Sequence, residues 1–115
     1  MALLVPAVMR YIDRAKDRQI MADARSVYIA VQAVASDYYG SDKLDATDFA
    51  AGGDLKNIVE TPKIEIETLS GIPGSKGTIT GGTVSFTTGE ISGFEYTDKK
   101  TLKAASYDGT SWTVK

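Results

Sequence analysis

The side chains available for chemistry in this 115-residue chain are carboxylates, lysines and aromatics, because it contains no histidine and no cysteine. Without imidazole there is no ordinary general base near neutral pH and no Ser-His or Cys-His arrangement. Without thiols there is no thiolate zinc site, thiol nucleophile or disulfide framework. Asp42, Asp45, Asp48 and Asp54 cluster in one acidic stretch, but their spacing of three and six residues does not match the alternate-residue ligands of a helix-loop-helix calcium site. They read as solvated loop acids. Lys63, Lys99, Lys100 and Lys103 lie near Glu65, Glu67, Glu90 and Glu95, and paired carboxylates can serve acid-base chemistry. On alternating strands these residues read instead as an exposed charged face. Gly71-Ile72-Pro73-Gly74-Ser75-Lys76-Gly77-Thr78 lacks the Gly-Lys-Thr order that sets lysine and hydroxyl on a nucleotide phosphate. Tyr96, Tyr107 and Trp112 could form a platform for sugars, as in a carbohydrate-binding surface module, but alternation with polar neighbours predicts core or cross-strand packing for Tyr96 and Trp112. Neither catalysis nor a cofactor or metal is expected.

The balance of 13 basic and 15 acidic residues, net charge -2, offers no basic field for phosphates, so no nucleic-acid partner is expected. A hydrophobic content of 43% with 24% charge is that of a globular chain, and residues 1–115 are the size of one domain.

The elements that would position these side chains divide the chain in three. Residues 2–39 contain no glycine, a single proline at Pro6 and many alanines, which predicts one continuous helix about 55 Å long. Gly40 follows Tyr38 and Tyr39 and is expected to close it in the left-handed conformation. At 100° per residue Ile20, Ala24, Val27, Val31, Val34 and Tyr38 share one arc, the predicted helix–sheet core. Toward the N-terminus the same arc meets Lys16, Asp13 and Asp17, so the earlier turns are expected to protrude from the domain that covers the later ones. Those turns carry Leu3, Leu4, Val5, Val8, Met9, Tyr11 and Ile12 around most of the circumference, the pattern of a helix buried in protein or lipid. A solvated, frayed end is the plain alternative. Ile29 points away from the core arc with Ala22, Ala33 and Ser36 near it, a small-residue surface that another helix could approach. The apolar run ends at Arg10, far short of the ~20 residues of a bilayer span, and it lacks a signal-peptide pattern. No capping side chain precedes it, so the helix is expected to continue from an earlier segment.

Residues 40–60 read as a connecting loop with two short turns, Asp45 or Thr47 capping the one around Phe49. From residue 61 onward alternation predicts an antiparallel sheet of four or five strands at 64–67, 84–86, 94–96, 101–107 and 112–114. The last two are joined by a tight hairpin at Asp108-Gly109. The glycine-rich stretch 70–82 is expected to be an exposed connection. The fold class is therefore α+β, with a long N-terminal helix packed on a small antiparallel sheet.

Leu3-Leu4-Val5-Pro6-Ala7-Val8-Met9-Arg10-Tyr11-Ile12-Asp13-Arg14-Ala15-Lys16, continuing through Met21-Ala22-Asp23-Ala24-Arg25, resembles the middle of the long helix of type IV pilins. Gly93-Phe94-Glu95-Tyr96 and Ala105-Ser106-Tyr107-Asp108-Gly109-Thr110-Ser111-Trp112-Thr113-Val114 are similar to the closing strands of pilins from Gram-positive bacteria. The resemblance implies a pilin-like fold and a structural subunit, a major pilin, of a cell-surface type IV pilus serving adhesion, aggregation or twitching motility. A minor pilin or a type II secretion pseudopilin is the alternative. It further implies an apolar segment ahead of this sequence that anchors the precursor in the membrane and engages the assembly machinery. Residues 3–12 would lie in the lower filament core, with Pro6 interrupting the helix, and the partners would be other pilin copies and a host or cell-surface ligand. The loops at 40–59 and 70–82 would be variable surface features.

Overall fold

The computed structural model describes the backbone of residues 5–45 and 47–114 and the side chains of residues 16–45 and 47–114. The alanine-rich N-terminal sequence forms one helix, α1 (Val5–Gly40), whose 36 residues span about 54 Å. Four strands, β1 (Gly77–Val84), β2 (Ile91–Asp98), β3 (Ala104–Tyr107) and β4 (Trp112–Val114), form an antiparallel meander in chain order. β2, β3 and β4 pack on α1, whereas β1 packs on a 3-10 turn at Leu55–Asn57 through the buried Leu55. This is the α+β arrangement of a long helix on a small sheet.

Residues 64–67 are not a strand. They belong to a second helix, α2 (Glu60–Ser70), which packs against α1. Pro62 sits in its first turn, where no backbone donor is required, and Gly71, at φ 72°, closes it with its amide 3.0 Å from the Glu67 carbonyl. Four alternating residues cannot separate a period of two from one of 3.6. Burial decides it: Pro62 and Ile66, one helical turn apart, face inward while Ile64 is exposed. The sheet therefore does not begin at residue 61.

The stretch 70–82 is likewise not wholly a connection, since β1 starts at Gly77. Its register against β2 shifts between Ile79 and Gly81 and again between Gly82 and Thr83. At Gly82, with φ 117°, an added methyl would lie 2.7 Å from the Gly93 carbonyl and 2.8 Å from Leu55 Cδ1. Glycine there lets a bulged strand run against its neighbours.

The connecting segment 41–59 is part of the core, contributing Leu44, Phe49, Ala50 and Leu55. Asp45 caps its turn by accepting the amides of Thr47 and Asp48 at 2.8 and 2.7 Å. Bridges between Ala50 and Ile58 and between Asp54 and Thr83 tie it down. Gly40 does not close α1. It is the helix's last residue, and the left-handed position falls at Asp42, φ 59°.

The strand expected at 101–107 starts only at Ala104, because residues 99–103 make the β2–β3 turn. In that turn the Asp98 carboxylate accepts the Thr101 amide at 2.8 Å and its hydroxyl at 2.9 Å. Burial alone would raise the Asp98 pKa, but the hydrogen bonds from Thr101 and Lys100 and the charge of Lys76 outweigh it and hold the carboxyl below its ordinary value. A folded value below the unfolded one stabilises the protein above the unfolded pKa, and that gain is lost as pH falls through the folded one. Thr101→Val should therefore cost about 1 kcal/mol at neutral pH, with the difference shrinking below about pH 4. Urea denaturation at the two pH values measures this, and an undiminished difference in acid would refute it.

The final hairpin is present, pairing Tyr107 with Trp112. Its loop has four residues, in which the Asp108 carboxylate accepts the amides of Thr110 and Ser111 at 2.8 and 2.9 Å.

Candidate assembly surface

On the inner side of α1, Ile20, Ala24, Val27, Val31 and Val34 are buried and Tyr38 is half-buried. Asp23, Ala30 and Ala35 widen the buried arc beyond the expected one. The charges at its margin are met from the sheet side. Asp23, 4% exposed, pairs with Lys76 at 3.1 Å and accepts from Gln19 at 2.9 Å, and Asp17 pairs with Lys103 at 2.7 Å. Gln32 bridges helix to sheet, donating to the Gly89 carbonyl at 2.9 Å and accepting the Ile91 amide at 3.2 Å. Tyr28 meets Phe94, Tyr107 and Trp112 edge-on, with ring centroids 5.3–5.8 Å apart, while Tyr107 stacks on Trp112 at 5.0 Å. These links fix the later turns of α1 to the sheet as a strut.

Among the described side chains the first buried one on α1 is Ile20; Lys16, Arg18 and Gln19 are exposed and Asp17 half-buried. Of the residues expected at a filament interface, Leu3 and Leu4 lie outside the described residues, as do the side chains of Val5, Val8, Met9, Tyr11 and Ile12. Ile29, the remaining one, is 66% exposed, and Ala22, Ala33 and Ser36 on the same face are exposed too.

Beside Ala33 the structure adds a groove that the strand reading of 64–67 had concealed. Ala33, Val34 and Asp37 of α1 and Ile64, Glu65, Thr68 and Leu69 of α2 enclose about 470 Å³, with Ile64 and Leu69 more than half exposed. The Pro62–Ile66 spacing and the Gly71 stop are the sequence signals that mark this helix. An acidic field lies along it. Burial and then the carboxylates of Glu65, Asp48 and Asp37 push the Tyr38 phenol up.

The other candidate groups are dispersed. Among the described residues no group of three acids could hold a metal ion. Glu65 and Glu67 lie on α2, Glu90 lies exposed ahead of β2, and Glu95 accepts from Thr80 at 2.7 Å on the sheet. Tyr96 is buried, and its hydroxyl has no hydrogen-bond partner among the described residues. Burial and then the charges of Asp23 and Asp98 push this phenol up to about 12. An orphaned buried hydroxyl is destabilising, so Tyr96→Phe should stabilise the fold by about 1 kcal/mol. A thermal melt reads this directly, and a clear loss of stability would mean that the hydroxyl makes a bond.

No helix among the described residues is long and apolar enough to cross a membrane. Comparison with known proteins finds no relative: no family model matches the chain, and no curated protein or solved structure matches it significantly.

Proposed function

We propose that this chain is a structural subunit of a type IV pilus, a major pilin, which polymerises with other copies through its long helix into a cell-surface filament for adhesion, aggregation or surface motility. The observation that carries this reading is the mismatch between helix and head. α1 runs for 36 residues, and over residues 16–40, where side chains are described, its own domain buries those from Ile20 to Ala35, while Lys16, Arg18 and Gln19 ahead of them are exposed. The molecule accordingly measures 61 × 26 × 18 Å. Its radius of gyration is 16.0 Å, against about 13 Å for a compact chain of this length. A strut fastened to a head at one end suits heterologous packing, in which each copy presents a different surface to the next and the array need not close.

The occupant of the outer face and groove is a second copy's N-terminal helical segment. Residues 1–18 carry Arg10, Arg14, Lys16 and Arg18 against Asp13 and Asp17, so the segment is basic, while the groove carries Asp37 and Glu65. Its apolar residues, Val5, Val8, Met9 and Ile12 among them, match the exposed Ile29, Ile64 and Leu69. The role is structural rather than catalytic, in keeping with a sequence lacking histidine and cysteine.

Immunogold labelling of intact source cells with antibody against this chain tests the proposal. Dense labelling along filaments is the result expected of a major pilin, and sparse labelling would instead indicate a minor pilin or pseudopilin. Label confined to the cell interior would refute the whole reading.

A further inference from the structure

A second cavity, sharing no lining residue with the α1–α2 groove, opens between α2, the turn at 71–74, the 3-10 turn at Leu55–Asn57 and β1. It encloses about 220 Å³, the space of about seven liquid waters. Val27, Leu55, Ile66 and Ile79 supply the apolar part of its wall, and the buried Tyr96 contributes to the lining. Lys56, Lys63 and Lys99 also line it, with Glu67 the one acid. None of the three lysines has a carboxylate within 4.0 Å among the described residues, where the ion pairs are those of Lys76 with Asp23 and Lys103 with Asp17. Glu67 lies against Gly74, another residue of the lining, where a Cβ would collide with its Oε1, so the lining carries three lysines to one acid.

An apolar wall portion beneath lysines that outnumber the one acid three to one suits a ligand with an apolar body and a single negative end. We infer that this cavity binds a small monocarboxylate of about eight to ten non-hydrogen atoms, an aromatic or short-chain acid. Its body would lie against Val27, Leu55, Ile66 and Ile79, and its carboxylate would be held by Lys63 and Lys99. The Tyr96 hydroxyl is sealed behind Gly77 and takes no part. The lysines are exposed and flexible, so their contribution weakens with salt. For a ligand of this size the affinity is in the millimolar range or somewhat tighter.

Titration of the full ¹⁵N-labelled chain with benzoate, followed by NMR, tests the inference. Saturable shifts centred on Ile66, Gly77, Thr78 and Ile79 are expected. Binding should be about tenfold weaker for the neutral counterpart benzyl alcohol and about fivefold weaker for Lys63→Gln/Lys99→Gln. Both substitutions fall on exposed side chains, and the unperturbed remainder of the variant's spectrum checks that it is folded. Absence of saturation up to about 20 mM benzoate, or equal affinity for benzyl alcohol, would overturn the assignment. Neither outcome bears on filament labelling, so the two proposals stand or fall separately.

Discussion

Replacing Phe49 with alanine is expected to remove about 3–5 kcal/mol of stability and lower the melting temperature by about 10–20 °C. Phe49 is fully buried in a segment without long regular structure, edge-on to Tyr38 with ring centroids 5.5 Å apart. Its carbonyl accepts the Val59 amide at 2.8 Å, so one residue fastens both ends of the stretch between α1 and α2. Truncation would leave a cavity bounded by the end of α1 and by a segment whose own hydrogen bonds resist collapse. Since domains of this size are stable by only about 5–15 kcal/mol, such a loss is a large fraction of the whole. Leu102→Ala, at a side chain 77% exposed, should change stability by less than about 0.5 kcal/mol and serves as the control. Denaturant unfolding followed by circular dichroism compares the two, and a Phe49→Ala loss as small as that of Leu102→Ala would mean that this segment does not belong to the core.

The features legible in the sequence are those that repeat over many residues. Five side chains expected on the core arc of α1, from Ile20 to Val34, are buried because a 3.6-residue period sustained over four turns leaves one solution. Short signals are the more ambiguous the fewer residues they span. Ile64-Glu65-Ile66-Glu67 satisfied strand alternation, but Pro62 ahead of it and Gly71 behind it mark a helix, and the packing of α2 on α1 settles the choice. Gly81 and Gly82 suggested a loop because glycine is depleted in strands, yet here they accommodate bulges where Leu55 and β2 approach β1 closely. The core role of Leu44 and Phe49 depends on a segment without periodicity folding back on the helix, which no local pattern encodes. The candidate surface was legible by halves. Ile29 stands out by its angle on α1, whereas Ile64 and Leu69 come to lie beside Ala33 and Val34 only once α2 exists.

If the outer face of α1 is where a neighbouring copy docks, Ile29→Lys should abolish filaments while leaving the subunit folded. Ile29 is 66% exposed and lies one turn from Ala33 of the groove, so the change should alter the stability of the isolated chain by less than about 0.5 kcal/mol. At the interface the consequences differ. The substitution removes an apolar side chain from the contact and sets a lysine against a segment that itself carries Arg10, Arg14, Lys16 and Arg18. Each loss of about 1.4 kcal/mol per contact weakens association tenfold, and in an open array every subunit bears the defect. Ile29→Val, which keeps the surface apolar, should assemble normally. Counting filaments by negative-stain microscopy in source cells carrying each variant as their sole copy, together with thermal melts of the purified proteins, separates assembly from folding. Wild-type filament numbers with Ile29→Lys would exclude this face from the contact. Lost filaments with an unchanged melt and intact Ile29→Val assembly would place the contact on it.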